Sequence, residues 1–167
     1  MSAQDQTPAL RAKGVVGVVA GFVDNAGIAR VKAVPLDRLP DVSAWGVGAT
    51  PCFDAFGFDD QIAVAADGTT PVGDLRVMPD LDRLVPLAAH PGWAWAPSDR
   101  YDQQGEPHPG CSRSLLRRLV ADVAEQGMTM RAAFEVEWVV STGDGDAFVP
   151  ATSGPGYGLQ RLCEVSG

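Results

Sequence analysis

The 167-residue sequence has little basic charge and no long apolar run. It holds 13 Lys and Arg residues against 21 Asp and Glu residues, a formal net charge of −8. This balance, with no cluster of basic residues, argues against a protein that binds the phosphate backbone of nucleic acids. The apolar runs are far shorter than the ~20 residues that a membrane-spanning helix needs. We therefore expect neither nucleic acid nor membrane as a partner.

Cysteine and histidine are also scarce. The three cysteines, Cys52, Cys111 and Cys163, are an odd number and lie far apart, which excludes a disulfide framework and a zinc site and is typical of a reducing cytoplasm. The first 14 residues lack the basic start and apolar stretch of a secretion signal, so we expect a cytoplasmic protein. His90 and His108 lie in proline-flanked loops, where histidine is more often solvated than metal-bound.

Apolar residues, by contrast, make up 46% of the sequence, which is enough to bury a core. The 19 glycines and 13 prolines predict many turns and argue against an all-helical bundle. Valine-rich runs at 14–23 and 28–34 flank Asp24-Asn25-Ala26-Gly27, a pattern that predicts a β-hairpin. A short helix at 35–45 and several short strands follow, which predicts an α+β fold with a mixed sheet packed on a helix.

The remaining elements are predicted from turn residues and alternation. Residues 1–8 are polar and predict a loose tail, and residues 46–60 predict a loop. The Asp67-Gly68 pair predicts a second hairpin over 61–72. The strand-like segments that follow are 74–78, ending at Pro79, then 84–88 and 92–96.

The second part of the chain begins after a polar segment at 102–110. The apolar residues of 112–127 form a single stripe at the helical period, so this is the most secure helix of the sequence, with Gly127 as its stop. The stripe consists of Leu115, Leu116, Leu119, Val120, Val123 and Ala124, and the arginines Arg113, Arg117 and Arg118 are expected on the exposed side. Residues 128–140 then predict a strand.

The pattern with the sharpest chemical meaning lies in that predicted strand. In Phe134-Glu135-Val136-Glu137-Trp138, alternation places both glutamates on one face of the strand. Two carboxylates at that spacing can hold divalent cations through hard oxygen ligands, which suits magnesium. The alternative is that this face is exposed to solvent and the glutamates only solvate it.

The order of these motifs resembles the start of a glutamine synthetase. The matching stretches are 23–32, 52–54, 73–80, 105–107, 113–118, 134–137 and 156–158. The resemblance implies a β-grasp domain over 14–103, after a tail at 1–13, and the first helix and strand of a truncated catalytic domain over 104–167. It also strengthens the interpretation of Glu135 and Glu137 as metal ligands.

The resemblance implies a reaction and roles for individual residues. ATP would phosphorylate the γ-carboxylate of glutamate and ammonia would displace the phosphate, with Mg²⁺ or Mn²⁺ as cofactor. The alternative acceptor is a larger amine. Glu137 would bind the metal nearer glutamate, and Glu135 the metal at the nucleotide phosphates. Asp54 would reach a neighbouring subunit of a homo-oligomer and help to bind and deprotonate ammonium, and Tyr157 would lie near the same pocket.

Two departures from the family pattern qualify this expectation. The family loop continues Phe-Asp-Gly-Ser-Ser, whereas this chain has Phe53-Asp54-Ala55-Phe56-Gly57, which favours a larger amine, as in γ-glutamyl polyamine or monoamine ligases. The other ligands of the family fall beyond residue 167, so we expect the 167-residue chain alone to be inactive. The alternatives are a short non-catalytic protein that assembles with full-length synthetase subunits, and an unrelated β-grasp binding module.

Overall fold

The computed structural model describes residues 2–62, 72–143 and 146–151. Contacts divide the chain into two compact units, Met1–Met130 and Arg131–Gly167. The domain boundaries expected above, at residues 13 and 103, stay a prediction. Each helix found in the described residues is too short or too polar to cross a membrane.

A mixed sheet with helices forms the first unit, which confirms the α+β prediction. The strands of its described residues are β1 (Gly17–Val23), β2 (Ala29–Pro35), β3 (Val47–Ala49), β4 (Leu75–Pro79), β5 (Val85–Pro86) and β6 (Trp93–Tyr101). They lie in the order β2-β1-β6-β4-β3, with β5 paired to β6. The helices are α1 (Ala3–Ala12), α2 (Leu39–Trp45) and α3 (Ser112–Glu125), and single 3₁₀ turns cover Leu36–Arg38, Pro51–Ala55 and Leu81–Arg83.

The first hairpin forms as predicted. Strands β1 and β2 pair antiparallel from Gly17 opposite Pro35 to Val23 opposite Ala29. Gly27 has a φ of +83°, a conformation that glycine adopts without a steric penalty. The Asp24 carboxylate accepts hydrogen bonds from the backbone N–H groups of Ala26 and Ile28, so the turn is fixed by its own first residue.

Strands β1 and β6 pair in parallel, and glycines of β1 make room for tryptophans of β6. On one face, Gly17 lies beneath Trp93, and a Cβ at Gly17 would fall 2.5 Å from Cζ3 of the indole ring. On the opposite face, alternating residues of the two strands are fully buried. The core cluster on that face consists of Ala3, Leu10, Val15, Val18, Leu36, Leu39 and Ala94.

The amino terminus is a helix, and the prediction of a loose tail at 1–8 was wrong. Ala3 and Leu10 of α1 are buried in the core cluster with residues of β1 and α2. The segment is polar in composition, but its few apolar positions pack onto the sheet, and packing rather than propensity stabilises most protein helices. A tertiary contact also explains β3, a strand within the predicted loop at 46–60: it forms because it pairs with β4, which is distant in sequence. The turn of the predicted hairpin at 61–72 lies outside the described residues.

Helix α3 begins at the predicted residue and ends at Glu125, two residues before Gly127, and it is attached to the sheet through its arginines. Arg113 donates to Asp80 at 2.5 Å and to Asp99 at 3.3 Å, and Arg117 donates to Asp99 at 2.8 Å. Arg117 lies on the exposed side as expected, with its side chain 54% exposed, and Arg113 is half-buried at 32%; the sequence did not predict the ion pairs of either. The leucines of the apolar stripe are at least 41% exposed in this chain.

The segment 128–140 is not a strand in the described part of the chain, contrary to our prediction. A strand is defined by hydrogen bonds to a partner strand, and the pairing described in the second unit is a single bridge between Ser141 and Pro150. The aromatic and β-branched residues that favoured the prediction are exposed: Phe134, Val136, Trp138 and Val139. The geometric premise that put Glu135 and Glu137 on one strand face is thus not met here.

The placement of the core predicts a difference between two leucine truncations. Leu39→Ala removes a side chain that is 0% exposed, whereas Leu116→Ala on α3 removes one that is 55% exposed. We expect the first to lower the free energy of unfolding by about 2–5 kcal/mol and the second by less than about 1 kcal/mol. Urea unfolding followed by circular dichroism measures both, and equal losses would contradict the assigned core.

Candidate functional site

A buried cation, Arg100 near the end of β6, joins two loops of the first unit to strand β1. Its side chain is 2% exposed. Nη1 donates to Oδ1 of Asp54 at 2.6 Å, and Nη2 donates to the carbonyl oxygen of Gly110. The guanidinium also lies 5.1 Å from the centre of the Phe22 ring, within the range of a cation–π contact. Sequence reasoning missed Arg100, because nothing in its local pattern distinguishes it from other strand residues.

Asp54, the predicted amine-site residue, is held on both carboxylate oxygens. It lies in the 3₁₀ turn Pro51–Ala55, where Thr50 caps the start by accepting from the N–H of Cys52. Oδ1 accepts from Arg100, and Oδ2 lies 2.9 Å from Nε2 of His108. Asn25 donates to the Asp54 carbonyl oxygen at 3.2 Å, which ties the turn to the hairpin. The structure thus brings together residues 54, 100 and 108.

His108 is therefore not the solvated loop residue that we expected. The polar segment 102–110 folds back on β6, since the N–H of His108 donates to the Arg100 carbonyl at 2.9 Å and Tyr101 bridges to Pro107. The imidazole reaches Asp54 for that reason. Gly110 permits this approach: a Cβ there would fall 2.9 Å from Oδ2 of Asp54 and 3.2 Å from Nε2 of His108.

A second cation, Arg30, holds the other side of the same loop. Its guanidinium lies 5.3 Å from the centre of the Phe53 ring and 5.4 Å from that of Phe56. It also donates to Asp24 at 2.7 Å and to Asp60. Phe56 is one of the residues that depart from the family pattern. Its ring thus makes a cation–π contact with an arginine of the chain itself.

The electrostatic surroundings lower the pKa of two aspartates. Burial alone raises the pKa of Asp24, but the hydrogen bond from Arg30 and those from the backbone of Ile28 and Ala26 outweigh it and hold the pKa below its ordinary value. Burial likewise raises the pKa of Asp80, and the hydrogen bond and charge of Arg113 outweigh it. Both carboxylates are thereby favoured as anions that anchor neighbouring elements.

A largely apolar groove of about 370 Å³ lies between the hairpin, β6 and the start of α3. Residues that line it include Gly21, Val23, Trp95, Pro97, Arg113 and Leu116. Cys111 also lines it, and the Arg100 N–H donates to its Sγ at 3.3 Å. Burial raises the pKa of the Cys111 thiol, but hydrogen bonds with Ser114 and Arg100 lower it overall.

The other predicted site residues lie in the second unit. Glu135 and Glu137 are both exposed, in a segment without assigned strand structure, and Tyr157 lies outside the described residues. Two carboxylates fit the oxygen preference of Mg²⁺, which takes about six ligands in total. Within the residues that the structure describes, no group of three or more His, Cys, Asp or Glu side chains could hold a metal. The metal roles of both glutamates stay predictions.

Comparison with curated proteins finds relatives along nearly the whole chain. The sequence is 59% identical over 160 residues to gamma-glutamylpolyamine synthetase of Streptomyces coelicolor, covering 94% of this chain and 34% of that protein. It is 28% identical over 173 residues to glutamate–methylamine ligase of Methyloversatilis universalis, covering 98% of this chain and 34% of the relative. It is 28% identical over 135 residues to glutamine synthetase of Rhizobium meliloti, covering 81% of this chain and 28% of that protein.

Comparison with solved structures also finds a similar fold. A complex of GmaS with ADP superposes with a TM-score of 0.61 at 25% identity, covering 73% of this chain and 26% of that one. No family profile matches the sequence. The chain spans about a third of the length of the curated relatives, which are ligases.

The buried ion pair predicts strong coupling between its two partners. Asp54→Asn leaves the Arg100 charge without its carboxylate, and Arg100→Met leaves Asp54 without its cation. Each single change is expected to cost roughly 3–5 kcal/mol of unfolding free energy, and the double variant less than the sum. Urea unfolding measures the cycle. Asp37→Asn, which removes the exposed partner of Arg11, is the control and should cost at most about 1 kcal/mol. Additive losses at residues 54 and 100 would contradict the pairing.

The lowered pKa of Asp24 predicts a pH-dependent contribution to stability. Because this pKa is lower in the folded than in the unfolded chain, the stabilisation is complete above the unfolded value of about 3.9 and is lost as the pH falls through the folded value. Asp24→Asn should therefore be less stable than the unmodified chain at pH 7, and the gap should narrow below about pH 4. Urea unfolding at several pH values tests this expectation, which a gap independent of pH would contradict.

Proposed function

This chain belongs to the glutamine synthetase family, and we propose that it is the amino-terminal part of a ligase that joins the γ-carboxyl group of glutamate to an amine larger than ammonia. The observation that carries the choice of acceptor is the high identity to the gamma-glutamylpolyamine synthetase, about twice that to the glutamine synthetase. Ammonia headed our sequence-based prediction, and the comparisons favour the alternative acceptor instead.

The loop that carries Asp54 supports the larger acceptor. Phe56 and Gly57 stand where the family pattern has serines, so the loop offers fewer hydrogen-bonding groups for a small cation. Phe56 packs edge-on against Phe53, with ring centres 5.4 Å apart. An apolar loop at this position suits an acceptor with a hydrocarbon chain better than it suits ammonium.

The remaining parts of the proposal follow from the family. Under it, residues 14–103 form a β-grasp domain, and residues 104–167, which include Glu135 and Glu137, begin a catalytic domain. Those two side chains would contribute oxygen ligands to Mg²⁺ or Mn²⁺, and the metal would offset negative charge on the phosphoryl group that ATP transfers. A cytoplasmic homo-oligomer with active sites between subunits completes the proposal.

The acceptor preference is tested on the complete product of the gene. We expect phosphate release that requires ATP, glutamate and an amine, with kcat/KM for a linear polyamine at least about tenfold above that for ammonium, or ~1.4 kcal/mol in transition-state binding. We expect kcat/KM for methylamine to lie between the values for the polyamine and for ammonium. Preference for ammonium would overturn the acceptor assignment, and no turnover with any amine would overturn the ligase itself.

The metal ligands are tested in the same assay. Glu135→Gln and Glu137→Gln keep the size of the side chain but remove the charged oxygen, so each should lower kcat roughly 10²–10³-fold, as removal of a transition-state electrostatic contact does. Glu125→Gln, on the exposed end of α3, is the matched control and should leave kcat unchanged. Full activity of both substituted enzymes would exclude these residues as ligands.

A further inference from the structure

We infer that Arg100 determines acceptor specificity, because it neutralises Asp54 and so withdraws that carboxylate from binding an acceptor as a cation. The inference rests on the proposed function and concerns the same loop. It gives Asp54 the task of a positioning residue, in place of the ammonium-binding role that the family resemblance implies.

The first step is the occupation of both carboxylate oxygens. Oδ1 accepts from Arg100 at 2.6 Å, and Oδ2 lies 2.9 Å from His108 Nε2. The Asp54 side chain is only 10% exposed. An incoming ammonium group would therefore have to displace one of these partners before it could reach an oxygen.

The second step is charge. The single negative charge of Asp54 is already matched by the guanidinium of Arg100, and an arginine remains charged across the physiological pH range. A cation within contact of Asp54 would also lie close to Arg100, so the repulsion would cancel most of the attraction. Arg30, on the other side of the loop at 5.3 Å from the Phe53 ring, is itself paired with Asp24 and Asp60 and adds no net positive charge.

The third step is rigidity. Arg100 is not a surface side chain that can turn away, because its second nitrogen donates to the Gly110 carbonyl and its guanidinium lies against the Phe22 ring. A Cβ at Gly110 would fall 2.9 Å from Oδ2 of Asp54, so the carboxylate packs closely against the backbone there. The pair is thus a fixed part of the fold, which holds the Pro51–Ala55 turn on β6.

It follows that the acceptor is recognised by contacts other than an ion pair with Asp54. Ammonium, whose recognition depends wholly on its charge and its hydrogen bonds, loses most from this arrangement. An amine with a hydrocarbon body can still bind through apolar surface. The Arg100–Asp54 pair therefore selects against the smallest acceptor.

The test is a titration of the isotope-labelled 167-residue chain with ammonium chloride, with sodium chloride as the control for ionic strength. Nuclear magnetic resonance signals of Asp54 and His108 are followed, and His90, the exposed second histidine, is the internal reference. We expect no saturable shift at residues 54 and 108 beyond the sodium effect. A saturable ammonium shift there that disappears in Asp54→Asn would overturn the inference.

A second part of the experiment asks whether Arg100 is what prevents Asp54 from binding ammonium. Arg100→Gln should gain a saturable ammonium response at residue 54, whereas Arg100→Lys, which keeps the charge, should not. If Arg100→Gln fails to fold, the unmodified chain still tests whether Asp54 binds ammonium, and a saturable response there or in Arg100→Lys would overturn the inference. Neither part needs catalysis, so a failure here is distinct from a failure of the proposed ligase activity.

Discussion

A guanidinium buried beside a single carboxylate is the interaction on which the candidate site depends. Arg100 lies on the strand that pairs with β1, β4 and β5, so any residue bound to it is fixed relative to the whole sheet. The Asp54 turn and the 102–110 loop are both bound to it. Desolvation makes an unpaired charge at this position costly, and the pair is therefore preserved or lost as a unit.

Close packing of β1 on β6 makes that arrangement possible. Glycines of β1 lie under the tryptophans of β6, while Ala20 and Ala96 are fully buried on the opposite face. A Cβ at Gly17 or Gly21 would collide with these rings, so glycine lets the tryptophans cover β1, and the parallel register sets how far β6 extends past the hairpin. Arg100 lies at that extension, beyond the last residue of β6 that pairs with β1, Pro97, where it meets the loops.

Charged residues elsewhere serve as anchors that orient whole elements. Asp99 accepts from two arginines of α3, which turns that face of the helix toward the sheet and leaves its leucines exposed. Arg30 likewise fixes the position of the loop after β3, through an ion pair with Asp60 and contacts with two phenylalanine rings. The acidic net charge of the chain thus includes aspartates with specific structural partners, in addition to any that solvate the surface.

The sequence by itself determined what depends on near neighbours. Asp24 and Gly27 predicted the first hairpin through local turn chemistry, the leucine period predicted α3, and the order of motifs identified the family. The tertiary structure decided what depends on distant partners: the helix at the amino terminus, strand β3, the orientation of α3, and the absence of strand pairing at 128–140 in the described residues. Asp54 and Arg100 are 46 positions apart, and only the fold brings them together, because no local pattern encodes which buried charges will meet.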